Sequence, residues 1–315
     1  MTESVGVSGG QLTDVPGISV GQVERIGDGW LTGVSVVIPP PGTVGSVDVR
    51  GGGPGTHETD ALDSDTLVQT IDAVVLTGGS AYGLVSARGV MRWCEEQGRG
   101  YEVEGGTVPI VPAAAIFDLG RGGNFACRPD EEMGYQAAKA AQSGDIRRGN
   151  AGAGAGAALG RGIFKGGVGT ASMRMRGINN DVVIGALVVV NAYGHPLGAD
   201  ETLKQMDGEP GLNTTLAVVA TNAVLTKPQA KRTATASHAG MARALAPVHT
   251  LLDGDTIFTL ATGEIELRGH GVADMRPMVE LQSFAAITVQ AAIEDAVKSA
   301  QTIKTPAGTF SRWPM

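Results

Sequence analysis

Two apolar runs set the terms on which this chain can fold. "DVVIGALVVVNAYG" has no polar side chain from Val182 to Val190, and "DAVVLTGG" is apolar from Ala73 until Thr77. Successive side chains of a strand point to opposite faces. A strand that is apolar at every position therefore has no face to offer to water and reads as a central strand buried on both sides. A sheet of such strands needs a layer over each face, so helices covering sheets are expected.

The rest of the chain supplies those layers. Leu84, Ala87, Val90, Met91 and Cys94 keep helical spacing after a Gly78-Gly79 turn, with Ser80 as the expected N-cap. "EEMGYQAAKAAQSG" reads as a short helix closed by Gly144. "TKPQAKRTATASHAGMARAL" reads as a helix capped by Thr226 with Pro228 in its first turn. A long helical pattern, continuous or broken, runs from about Asp274 to Ile303. Strands are expected at Val34–Ile38, at the end of "GVGTASMRM", at Leu216–Thr221 and within "DGDTIFTLATG", which reads as turn, strand, turn. "VPIVPAAAIFDL" reads as an edge segment because of its prolines, and "VDVRGGGPGTHETDAL" as a Gly-rich loop. The first ten residues read as a tail, and Gly194 to Gly211 as a polar loop. No linker or fixed repeat divides the chain, so residues 1–315 are expected to form one domain.

Composition narrows the function classes. With 42 % apolar and 18 % charged residues the chain can bury a sizeable core, and at 4 % aromatics that core must be built from aliphatic side chains and alanine. A net charge of −8 argues against nucleic acid as partner, since phosphate binding needs a basic face. Cys94 and Cys127 form no disulfide framework and lack metal-ligand spacing, which fits a reducing cytoplasm. No basic-then-apolar leader and no run of about 20 apolar residues is present, so neither export nor a membrane span is expected.

Three local patterns invite chemistry. "KGGVGT" resembles a P-loop but lacks the Gly-Lys-Ser/Thr lysine and is followed by a strand pattern, so nucleotide binding is not expected. "GTHETD" groups His57, Glu58 and Asp60, one histidine beside two carboxylates with no HExxH or paired-cysteine motif, and reads as a solvated or capping cluster. The remaining histidines sit in unrelated sequence contexts. The third pattern is "GLNTTLAVVATNA", where a polar loop meets a strand at Asn213-Thr214-Thr215. Turn chemistry accounts for that composition. The alternative is a chain cut before Thr214, whose hydroxyl then has its own α-amine, of pKa about 8, as base.

Taken together, several segments between residue 12 and about residue 262 resemble the L-aminopeptidase/D-esterase family of self-cleaving N-terminal-nucleophile hydrolases, which also holds β-aminopeptidases and a nylon-oligomer hydrolase. They are "LTDVPGISVG", "VDVRGGGPGTHETD", "LTGGSAYGL", "VPIVPAAAIFDL", "GNAGAGAGAALGRGIFKGGVGTAS", "VVVNAYG", "GLNTTLAVVATNA" and "HTLLDGDTIFTLATG", in that order.

The resemblance implies an α+β fold, a four-layer αββα sandwich, assembled as homo-oligomers built on tetramers. It implies cleavage between Asn213 and Thr214 into chains 1–213 and 214–315, with Thr214 as nucleophile. Tyr82 and Asn191 match residues placed around the oxyanion, and Asp253 and Asp255 match positions that orient the nucleophile and its amine. The nylon-hydrolase branch adds a lysine in the Gly-rich segment. Direct spacing places Arg161 there, with Lys165 four residues on; arginine cannot shuttle a proton, so that role falls between the two. Small peptides, amides or esters are the implied substrates, with no metal or organic cofactor. An endo-acting oligoamide hydrolase and a non-catalytic binding relative are the alternatives. The sequence contexts agree with these roles: Asn191 ends a buried strand, Tyr82 follows a Gly-Gly turn, and Asp253 and Asp255 straddle a glycine.

Overall fold

The computed structural model describes residues 9–198, 211–271 and 274–314. Most of the expected tail falls on residues 1–8, and most of the expected polar loop on residues 199–210, outside the described residues. Among the described residues two five-stranded sheets carry the fold. We label their strands β1 (Ser19–Gly27), β2 (Trp30–Ile38), β3 (Val44–Val49), β4 (Thr56–His57), β5 (Val74–Thr77), β6 (Ala113–Ala115), β7 (Gly167–Arg174), β8 (Val183–Asn191), β9 (Thr214–Ala223) and β10 (Thr256–Ile265). The helices are α1 (Ser80–Gly83), α2 (Ser86–Glu96), α3 (Glu131–Lys139), α4 (Lys227–Ala244) and α5 (Arg276–Ser299). One sheet has the order β1-β2-β5-β6-β4 and the other β7-β8-β9-β10-β3.

The apolar runs fill both faces of these sheets, as their pattern requires. Along β8, Leu187 and Val189 point to a core between the sheets, where they meet Val37, Leu76, Leu216, Val218 and Phe258. The alternate residues Ala186, Val188 and Val190 point outward to α4 and α5, against Met241, Leu281, Ala285 and Val289. A third core lies over the first sheet, where Val34, Val36 and Val75 meet Ala87, Val90, Met133 and Ala137 of α2 and α3. The result is the expected αββα sandwich. Within that helical layer α2 and α3 approach closely through glycine: a Cβ on Gly89 would collide with the Glu131 carbonyl of α3, and one on Gly134 with the Ser86 carbonyl of α2.

Helix ends follow the sequence where a side chain can cap. Thr226 and Gln229 form a reciprocal capping box at α4, a device contributing about 0.5–2 kcal/mol. At α1 the expectation fails. Gly79, with φ 80°, occupies the N-cap position, and Ser80 is already in the first turn with φ 52°. Its N–H is taken by the Ile116 carbonyl instead, at 2.9 Å.

Other differences have equally local causes. β6 is not an edge: it lies between β5 and β4, because Pro109 and Pro112 precede the paired residues and cost the ladder no donor. The "VDV" of the expected Gly-rich loop is the end of β3, paired to β10. β10 runs on to Ile265 through Gly263 rather than turning there, and α3 stops at Lys139, short of Gly144. No described helix is long and apolar enough to cross a membrane.

Candidate active site

Strand direction alone gathers the site. β8 and β9 are antiparallel, so the last residue of β8, Asn191, lies opposite the first of β9, Thr214. β9 and β10 are parallel, so the turn that leads into β10 reaches the same end, and it contains Asp253, Gly254 and Asp255. β3 is antiparallel to β10, so its exit loop, Arg50 to Pro54, arrives there too.

Thr214 is 4 % exposed and its Oγ1 donates to the carbonyl oxygen of Asn213 at 2.5 Å. The same oxygen accepts the backbone N–H of Gly254 at 2.8 Å. Asn213 is itself held by its own N–H, which donates to the Leu252 carbonyl at 3.0 Å. Position 254 leaves no room for a side chain: a Cβ there would lie 2.6 Å from the Thr214 hydroxyl.

Both carboxylates of the turn are tethered. Asp253 Oδ2 accepts from the N–H and hydroxyl of Thr250 at 2.8 and 2.6 Å, and burial pushes this carboxyl up from the usual range. Asp255 Oδ1 accepts from the Thr215 N–H at 2.8 Å, next to the candidate nucleophile. Its Oδ2 accepts from the His249 N–H at 2.9 Å and pairs with the His249 ring Nδ1 at 2.7 Å. The loop after β3 clamps the turn through its backbone: Gly53 N–H donates to the Asp253 carbonyl at 2.8 Å and Arg50 N–H to the Asp255 carbonyl at 2.9 Å. This gives the "VDVRGGGPG" segment its work as a buttress. Glu58 lies elsewhere, accepting from the Val111 N–H at 2.9 Å.

Asn191 is fully buried and its amide orientation is dictated by its neighbours. Arg121 Nη1 at 2.5 Å and the Ala158 N–H at 3.0 Å are both donors, so the atom facing them is Oδ1. Nδ2 is left with one long contact, 3.4 Å to the Phe117 carbonyl. Desolvation draws the Arg121 guanidinium down to about 10, opposed by Asp118, which leaves it charged at neutral pH. Burial pushes the Asp118 carboxyl up; its Oδ1 accepts the Gly79 N–H at 2.6 Å.

The remaining candidates sit farther out in the hydrogen-bond network. Lys165 is wholly buried, its ammonium donating to the carbonyls of Gly154, Ala157 and Gly166 at 2.8, 2.9 and 2.8 Å. Burial, then the Arg121 charge, lowers its pKa well below the usual lysine range. Arg161, at φ 58°, places its guanidinium 5.5 Å from the Tyr193 ring centroid. Tyr82 is 55 % exposed beneath the Arg128 guanidinium, 3.9 Å from the ring centroid. No hydrogen bond among the described residues joins Lys165, Arg161 or Tyr82 to Thr214.

Sequence reasoning missed His249, His238, Arg121 and Asp118. The histidines are not in unrelated contexts: their rings pack edge to face, centroids 4.7 Å apart. Only the short separation of His249 from Asp255, six residues, offered a signal. His238 contacts the Asp48 carbonyl at 3.1 Å, 190 residues away in sequence. Burial pushes the His238 imidazole down to about 4, so the fold keeps it neutral where the unfolded chain would take a proton. Its stabilising effect is full above about pH 6.5 and is lost as pH falls towards 4. Between pH 7 and pH 5 this amounts to roughly 2 kcal/mol. The thermal midpoint of His238→Gln should therefore fall less over that interval than that of the parent; parallel melting curves would refute it.

Comparison with known proteins follows the same lines. Residues 10–311 match peptidase family S58. An uncharacterized aminopeptidase of Mycobacterium leprae (strain TN) is 44 % identical over 92 % of this chain and 88 % of its own. A 6-aminohexanoate-oligomer endohydrolase of Agromyces sp. (strain KY5R) is 29 % identical over 81 % of this chain and 75 % of its own. Among solved structures, the l-aminopeptidase d-ala-esterase/amidase from Ochrobactrum anthropi aligns with a TM-score of 0.79 at 20 % identity, covering 96 % of this chain and 91 % of that one. A Burkholderia sp. beta-aminopeptidase aligns at 0.75 and 23 % identity, covering 96 % and 90 %. At such identities the structural likeness speaks to the fold, which the Ochrobactrum structure's description calls a variant of the Ntn hydrolase fold.

Proposed function

The chain belongs to peptidase family S58 and is a hydrolase of peptide or amide bonds, and we propose that it is a self-processing aminopeptidase with Thr214 as its N-terminal nucleophile. The observation that carries this reading is the hydroxyl of Thr214 poised on the Asn213 carbonyl, 2.5 Å from its oxygen, while the Gly254 N–H holds that oxygen at 2.8 Å.

Processing needs only these groups and water. Thr214 Oγ1 attacks the Asn213 carbonyl carbon, and the Gly254 N–H stabilises the negative charge that develops on the oxygen. The C–N bond breaks, the Thr214 nitrogen takes the hydroxyl proton, and an ester links Asn213 to Oγ1. Water hydrolyses the ester, leaving a carboxylate on Asn213 and a free α-amine and hydroxyl on Thr214. The same pair then serves catalysis. The amine takes the hydroxyl proton as Oγ1 attacks a substrate carbonyl, and Asn191 Nδ2 donates to the oxyanion. The amine returns the proton to the leaving nitrogen, and water releases the acyl group. Asp253 and Asp255 hold the start of β9 and the turn beside it. Tyr82, Lys165 and Arg161 belong to the surrounding shell in this reading, with Tyr82 reaching the oxyanion when substrate is bound.

Small peptides, amides and esters are the proposed substrates, processed in the cytoplasm by a homo-oligomer built on tetramers. The similarity to a 6-aminohexanoate-oligomer endohydrolase supplies the second substrate class to assay. Mass spectrometry of the purified protein tests the core of the reading. Two chains are expected, the second beginning Thr-Thr-Leu-Ala. A protein that hydrolyses amino-acid p-nitroanilides while remaining one uncut chain would overturn it.

A further inference from the structure

Once the Asn213–Thr214 bond is cut, Thr214 becomes a chain terminus, and termini fray unless something ties them down. On one side β8 does this, since Asn191 and Val190 pair with Thr214 and Thr215. On the other side the ladder with β10 begins only at Leu216, paired with Thr256. The Thr215 N–H on that side is instead bound by the Asp255 side chain, at 2.8 Å. The second oxygen of that carboxylate is held by one residue, His249, through both its N–H and its ring Nδ1, at 2.9 and 2.7 Å. His249 adopts φ 59°, in the left-handed region that a residue with a Cβ enters only at a steric cost. In that conformation its N–H and its ring Nδ1 meet the same oxygen. The His238 ring, anchored at 3.1 Å on the Asp48 carbonyl, packs edge-on against it.

We propose that His249 is a positioning residue for hydrolysis: it locks the Asp255 carboxylate, which replaces the missing ladder partner of the new N-terminal strand and so keeps Thr214 aimed at substrate. The inference rests on Thr214 being the nucleophile. His249 touches Asp255 and not Thr214 in any described hydrogen bond, so it acts through the carboxylate.

The test separates the ring donor from the backbone conformation. Asparagine and glycine both tolerate positive φ, and only asparagine keeps a side-chain donor near the place of Nδ1. His249→Asn should hold kcat within about threefold of the parent. His249→Gly should lose kcat on the order of ten- to a hundredfold, the range of one hydrogen bond to a charged group, with KM changed less than threefold. Added imidazole should restore part of the loss. Equal kcat in H249G and the parent, or an H249N as impaired as H249G, overturns the proposal. Should H249G be insoluble, His249→Asp gives the same contrast, since it keeps the turn conformation but cannot donate; an H249D as active as H249N is again fatal. A folded H249G that stays uncut counts in favour only if H249N is cut normally, and against if both stay whole. Retained activity in a Thr214→Ala protein would remove the nucleophile itself, a failure distinct from that of His249.

Discussion

Thr214→Ala should leave the protein as a single chain and reduce hydrolysis by at least on the order of ten-thousandfold, the scale seen when a covalent nucleophile is deleted. The reason is that in the proposed reading one hydroxyl serves two reactions. Without Oγ1 nothing attacks the Asn213 carbonyl, so no α-amine is freed, and the base for the second reaction is lost together with its nucleophile. The fold itself should survive, because the hydroxyl's described hydrogen bond is to the carbonyl of the neighbouring Asn213. Its thermal midpoint should therefore stay close to that of the parent kept from processing. Thr214→Ser restores an attacking hydroxyl and should restore both cleavage and turnover, more slowly where the lost methyl group loosens the rotamer. The readouts are intact mass over time and release of p-nitroaniline. A Thr214→Ala protein that is cut at the parent's rate, or that keeps more than about a hundredth of its activity, would rule out the threonine.

Thr214 was singled out through the resemblance of its segment; on composition alone a turn accounted for Asn213-Thr214-Thr215. A residue that begins a strand beside another strand's end is fixed by register, and the apolar runs of β8 and β9 announce that register strongly. Asn191 stood at the end of the β8 run, and β9, expected from Leu216, begins two residues earlier, so the structure pairs Asn191 with Thr214. The Asp253-Gly254-Asp255 turn was legible because glycine between two acids before an apolar run is turn chemistry. Other features had no local trace. The Arg121 contact with Asn191 spans 70 residues, and that of His238 with Asp48 spans 190. Such pairs are created by packing two sheets together, which no window of sequence contains. β6 was misplaced for a related reason: its prolines lack only a donor and lie just ahead of the paired residues, where the Pro112 carbonyl still accepts the Val75 N–H. Ser80 shows the limit of propensity, since a glycine in the left-handed region could occupy the N-cap position that serine statistics favour.

Replacing Asn191 should be the second most damaging change. Its Oδ1 is already committed to Arg121 and to the Ala158 N–H, so Nδ2 is the end that remains for a developing oxyanion. Losing one preorganised donor of this kind costs roughly a hundred- to a thousandfold in kcat. Asn191→Ala is expected to show that loss with KM nearly unchanged, because the donor acts most strongly when the oxygen becomes negative. Asn191→Asp keeps the shape but turns an acceptor toward the oxyanion, and should be no better than alanine. Arg121 tests the orientation rather than the donor. In Arg121→Leu the amide loses its charged anchor and can rotate, presenting Oδ1 part of the time; kcat should fall about tenfold, the worth of a hydrogen bond to a charged group. Arg121→Lys, which keeps a cationic donor, should recover part of that loss. Melting curves for each variant separate these effects from unfolding, since desolvated Arg121 also balances Asp118. An Asn191→Ala enzyme within threefold of the parent would move the oxyanion away from Nδ2, toward donors such as the Gly254 N–H or Tyr82. An Arg121→Leu enzyme with parental kcat would show that the Ala158 N–H alone is enough to hold the amide.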